Sequence, residues 1–135
     1  MTRKVKTKPV EKNEYSNYWK KAQRFFRGMS QAYTDRNWDS TALEGVHCAI
    51  SVADALLVYS RGFKSTSERH SDVTTLISNL PVEGSQQASY HLAKLLSIKS
   101  VVEYTGESYT EKDATQVLNQ VERFMNWARK ILPKN

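Results

Sequence analysis

Residues 42–62 read ALEGVHCAISVADALLVYSRG, and the spacing of apolar residues in this stretch decides the fold. Ala42, Leu43, Val46, Ala49, Ile50, Ala53, Leu56 and Leu57 recur every three or four residues, which is the period of a helix buried along one stripe. Asn37 or Asp39 can cap this helix, and it runs to about Arg61, with Gly62 just beyond. Its alanines let a neighbouring helix come close. Gly45 breaks the stripe, as Gly28 breaks an earlier one. A glycine inside a helix costs about 1 kcal/mol relative to alanine, so a packing reason is expected for both. In an antiparallel hairpin the two glycines fall at similar heights.

The same period recurs on either side. Residues 14–34 form a first helix whose Tyr15, Tyr18, Trp19, Ala22, Phe25, Phe26, Met29, Ala32 and Tyr33 share one broad aromatic face. That face is expected to belong to the core or to a dimer seam. A short third helix carries Val73, Leu76, Ile77 and Leu80, with Ser65 to Ser67 as its candidate caps. Residues 79–87, with Pro81 and Gly84, are a loop leading into a fourth helix built on Ala88, Leu92, Leu95, Val101 and Val102. Gly106 ends it. Thr110 with Asp113 three residues on resembles a capping box and opens a fifth helix that buries Ala114, Val117, Leu118, Val121, Phe124, Met125, Ala128, Ile131 and Leu132. Nothing alternates like a strand. The expected fold is all-α, an up-and-down antiparallel four-helix bundle plus one short helix.

A chain of 135 residues is long enough for one domain with a sizeable core. The lone Cys48 cannot form an internal disulfide or supply a zinc cluster, so it reads as a small core residue, and no metal or cofactor is expected. No run of 18 apolar residues and no apolar stretch behind the N-terminal charges suggests a span or a secretory signal. A soluble, reducing, cytoplasmic setting with no membrane partner is the default expectation. The net charge of +6 is uneven: Arg3, Lys4, Lys6, Lys8 and Lys12 oppose only Glu11 in the first twelve residues. Residues 1–12 read as a basic flexible arm and residues 13–135 as a single helical domain. The arm either grips phosphate or solubilises.

Within the bundle, Lys20, Arg24 and Arg27 form a basic ridge on a face of the first helix away from the aromatics. Aromatics beside cations can stack on bases, but these follow the buried stripe, which favours packing. His47 and Asp54 flank the stripe of the second helix, and both read as side chains hydrogen-bonded inside the bundle.

From about Tyr18 to Leu132 the sequence resembles small stand-alone HEPN domains of bacteria and archaea. Three stretches carry the resemblance: the alanine-rich helix 42–62 with its acidic residue at Asp54; Arg69, His70 and Asp72 followed by Leu76, Ile77 and Leu80; and KSVVEY at 99–104 followed by TEKDATQVLNQVERFMNWARKIL. The resemblance implies a helical domain that dimerises to a homodimer and often works beside a nucleotidyltransferase partner, with links to RNA, nucleotides and toxin–antitoxin or defence systems. Ribonucleases of this family use Arg, four to six variable residues, then His. No arginine stands at that distance before His47, His70 or His91, and Lys64 before His70 is the nearest approximation. Lysine offers a point charge where a planar fork would hold phosphate in two places. Lys99 likewise stands where many members have arginine.

Three functions are thus open. The first is a non-catalytic dimerising interaction module. The second is an RNA- or nucleotide-binding protein using the arm together with Lys20, Arg24, Arg27, Arg69, His70 and Lys99. The third, disfavoured by the missing arginine, is a ribonuclease using His70 with Lys64 or Arg69.

Overall fold

The elements follow in the order β1 (Thr7–Pro9), α1 (Tyr15–Thr34), α2 (Trp38–Arg61), β2 (Phe63–Ser65), α3 (His70–Ser78), α4 (Ser85–Tyr104) and α5 (Glu111–Ile131), with a 3-10 turn at Lys12–Glu14. They come from a computed structural model that describes residues 4–67, 69–104 and 106–134, and only the backbone of residue 70 and residues 99–104. The chain is all-α apart from one two-stranded ribbon.

α2 is the central helix, and 13 of its 24 residues are buried. It packs against α1, α4 and α5 and touches α3. Asn37, rather than Asp39, caps it: the Asn37 side chain accepts the Ser40 amide at 3.3 Å. Asp39 instead ties a distant loop down, accepting the Tyr109 amide at 2.7 Å. Gly62 closes the helix in the left-handed region at φ 72°, its amide bonded to the Val58 carbonyl at 3.0 Å. Among the described residues α2 is the one helix long and apolar enough to cross a bilayer, yet its most apolar stretch is 72% buried by the rest of the bundle.

Cross-helix pairs fix the directions. Tyr15 meets Tyr59 and Phe25 meets His47, so α1 and α2 are antiparallel. The Tyr33 hydroxyl bonds Thr115 at 2.7 Å and Arg129 lies over Trp19, so α5 also opposes α1. α4 starts beside Trp127 and reaches Tyr109 through the Ile98 carbonyl, and it runs with α1. The Thr110–Asp113 capping box forms in full, with Asp113 doing the work usually given to Glu.

The glycines earn their positions differently. A Cβ on Gly45 would stand 2.7 Å from Val117 Cγ1 and 3.1 Å from Met29 Sδ, so its missing side chain lets α1 and α5 close on α2. A Cβ on Gly28 would meet only the carboxylate end of Glu44, the residue before Gly45. The two glycines do lie at one height of the α1–α2 hairpin.

Two expectations need correction. In α1 only Ala22 and Met29 are buried; Tyr15, Tyr18, Trp19, Phe25 and Phe26 are half-buried and pack along the core's edge. Its small and flexible residues face the core centre, and the rings pack around its edge. The segment expected to be a free arm is also held in part. Residues 7–9 pair antiparallel with 63–65, the Thr66 amide reaches the Lys6 carbonyl at 3.0 Å and the Val10 amide the Gly62 carbonyl at 2.9 Å. Residues 1–3 lie outside the described residues. At α3 the capping position is Arg69, which makes no side-chain cap bond, although Ser67 Oγ accepts the Arg69 amide at 3.1 Å.

Candidate functional site

The ribbon lies at the end of the bundle where α1 begins and α2 and α5 finish. Opposed residues on paired strands point to the same face, so Lys8 and Lys64 stand side by side. Lys64 turns onto the Tyr18 ring at 5.1 Å and toward Asp54 Oδ2 at 3.9 Å. Lys12 lies 4.6 Å over the Tyr59 ring. From α1 come exposed Lys20, Lys21 and Arg24, and from the tail of α5 come exposed Arg129 and Lys134. Among the described residues Glu11, Glu14, Asp54 and, at the start of α3, Asp72 are acids of this end. The far end of the bundle has the opposite bias. There Asp35, Asp39, Glu107, Glu111 and Asp113 face Arg36, Lys94 and Lys112, with Arg36 and Glu111 paired at 3.5 Å.

Asp54 is a largely enclosed acid of the cationic end, with its side chain 13% exposed. Burial raises its pKa from 3.8 to about 6, against the opposing pull of Lys64 and Lys21. Desolvation outweighs the Lys64 ion pair, which at 3.9 Å is at the long end of such contacts. At neutral pH the carboxylate is ionised and offsets one cation. Seven residues earlier on the same α2 face, His47 stacks on Phe25 with ring centres 5.3 Å apart, in line with a packed edge histidine. Burial pushes the Cys48 thiol up to about 12, which suits its position between the Ala22 carbonyl and Met125 Sδ as an inert core residue.

The residues singled out from sequence are only partly brought together. Lys20, Arg24 and Arg27 form one exposed ridge on the side of α1 opposite the buried Ala22 and Met29. Arg69 is exposed at the start of α3, just after the ribbon, and Ser67 next to it bonds the Asp72 carboxylate. The side chains of His70 and Lys99 lie outside the described residues. The Lys99 backbone sits in the later part of α4, beside Ile98 and hence at the acidic end, away from the ridge. Lys64, the nearest substitute for the ribonuclease arginine, is turned to Asp54 and Tyr18.

Sequence reading missed the fixed Lys8–Lys64 pair, since three-residue strands of TKP and FKS have no alternation to detect. Among the described residues no group of three His, Cys, Asp or Glu side chains is placed to hold a metal ion. What the cationic end can do chemically is attract and hold anions, with aromatic faces beside the charges.

Comparison with family models matches residues 15–131 to the HEPN domain family. Comparison with curated proteins and with solved structures gave no match.

Proposed function

We propose, from the premise that this chain belongs to the HEPN domain family, that it binds single-stranded RNA at its cationic end without cutting it. One observation carries the reading: the ribbon pins part of the basic arm against the bundle, so cations from β1, α1, β2 and α5 converge on one end. Lys8 and Lys64 are held side by side although like charges directly opposed on paired strands are destabilising. An anionic ligand relieves that opposition. The absence of cutting is supported by the sequence, where no Arg precedes a His by the required spacing, and by the engagement of Lys64 with Asp54.

Anisotropy titrations of a labelled single-stranded RNA at several salt concentrations test the reading. Engagement of six phosphates gives a slope of log K against log salt of about −4. The triple variant Lys20→Ala/Arg24→Ala/Arg27→Ala flattens that slope by about 2, and Lys6→Ala/Lys8→Ala/Lys12→Ala does likewise. Lys112→Ala, at the acidic end, leaves it unchanged. Equal losses from both ends would sink the proposal. Cleavage of tRNA or structured RNA by the parent, lost in His70→Ala or Lys64→Ala, would overturn the non-catalytic part.

A second reading is a homodimerising module working beside a nucleotidyltransferase partner. It draws on the resemblance and on Tyr90, the large hydrophobic side chain that stands 53% exposed on α4. Mass measurement during size-exclusion chromatography decides between monomer and dimer.

A further inference from the structure

Between the start of α1 and the end of α5 lies a surface cleft of about 450 Å³. Tyr15 and Trp19 form one wall, Leu132 and Pro133 the other, and Lys20, Arg129 and Lys134 stand around it; among the described residues no carboxylate side chain lines it. Its size falls within the range of small-molecule sites. The Arg129 guanidinium lies 5.7 Å from the Trp19 ring centre, and its Nη1 donates to Asn126 Oδ1 at 2.6 Å. Ring and amide together hold that planar cation in place, leaving most of its five N–H groups for other acceptors. Trp19 and Tyr15 are half-buried, with aromatic surface that the core does not close over.

We infer that this cleft takes one nucleotide unit, its base against Trp19, Tyr15 and the Arg129 plane and its phosphate on Lys20 and Lys134. Planar bases stack on aromatic rings and on arginine planes, and such stacking tolerates any base. A ligand that was only an anion would have no use for the two aromatic walls. A ligand that was only apolar would meet three cations with no carboxylate side chain beside them among the described residues. Lys20 is also the first member of the Lys20–Arg24–Arg27 ridge, so phosphates following the ridge lead a strand into the cleft. The inference rests on the RNA-binding reading and gives it a defined contact.

The chain has three tryptophans, Trp19, Trp38 and Trp127, so the indole N–H signals of the nitrogen-15-labelled full-length protein separate the sites. Titration with adenosine 5′-monophosphate is expected to move the Trp19 signal saturably and to leave Trp38 unmoved. Inorganic phosphate at matched ionic strength is expected not to reproduce the shift. Arg129→Ala, an exposed position that leaves the core intact, weakens the nucleotide about tenfold, and Trp19→Ala weakens it at least as much. A short RNA moves the same signal at lower concentration than the mononucleotide if the strand is the natural source. A Trp19 signal unmoved by nucleotide and RNA, or moved equally by inorganic phosphate, overturns the cleft. If that happens while the ridge variant still flattens the salt dependence of RNA binding, the RNA reading stands without the cleft. If no RNA binds yet the mononucleotide still moves Trp19, the RNA reading falls and the cleft remains a mononucleotide site.

Discussion

Gly28 and Gly45 lie at one height of the same helical hairpin, yet alanine has opposite consequences at the two. At Gly45 the added methyl meets Val117 Cγ1 at 2.7 Å and Met29 Sδ at 3.1 Å, inside a closed core where overpacking costs about 1–3 kcal/mol. At Gly28 it meets the end of the Glu44 side chain, which can swing out to water. There the gain in helix propensity, about 1 kcal/mol, prevails. Urea unfolding is expected to rank Gly28→Ala above the parent and Gly45→Ala below it. Sequence marks both glycines as breaks in a helical pattern. It does not distinguish a flexible neighbour from a rigid one, because that difference belongs to residues 16 to 72 positions away, on other helices. Asp54 carries a prediction of the same scale. Its folded pKa of about 6 exceeds the unfolded 3.8, so the folded state binds the proton more tightly. Its contribution to stability is present below pH 4 and is lost as pH rises through 6, by up to about 3 kcal/mol. Plotted against pH, the stability of the parent minus that of Asp54→Asn should fall between pH 4 and 6 and then level. A flat difference would mean that the carboxylate is better solvated than its 13% exposure implies.

Among the elements, the helices were legible and the ribbon was not. α1, α2 and α5 each repeat apolar residues over five or more turns, a signal that side-chain burial alone explains. The ribbon rests on backbone hydrogen bonds and on the left-handed turn at Gly62, which sends the chain back along residues 6–10. Its opposed lysines even argue against pairing when read as sequence. The clearest sequence error falls here; for the α1 rings the spacing identified the face that packs on the core without showing how far each ring stands from its centre. With only a few linking bonds the ribbon should open more readily than α2. In hydrogen exchange the Val10 and Thr66 amides are expected to exchange together and faster than the α2 amides. Lys8→Thr removes the like-charge opposition, worth about 0.2–1 kcal/mol, and should slow exchange at those two amides by up to about fivefold. The same change should weaken RNA binding. Slower exchange together with unchanged RNA affinity would separate the ribbon from the binding surface.

The molecule as a whole is a bundle whose charges are sorted along its length, and no single stretch of sequence displays this. The cations of one end come from residues 4–24, 61–69 and 129–134, and the acids of the other from 35–39 and 107–113, so the sorting exists only once antiparallel helices stack those segments. Net charge alone read as a basic tail on an ordinary domain. The candidate site was therefore half visible: the Lys20–Arg24–Arg27 ridge shows on a helical wheel, whereas the cleft beside it needs α5 to return to the start of α1. Such sorting also acts before any contact is made. A particle with cations gathered at one end and acids at the other feels a torque near a strongly charged strand, and it turns its ribbon end forward while still a Debye length away, about 10 Å at 0.1 M salt. Collisions are thus biased toward productive orientation. Stopped-flow mixing with RNA should show the association rate dropping steeply with added salt while the dissociation rate changes much less.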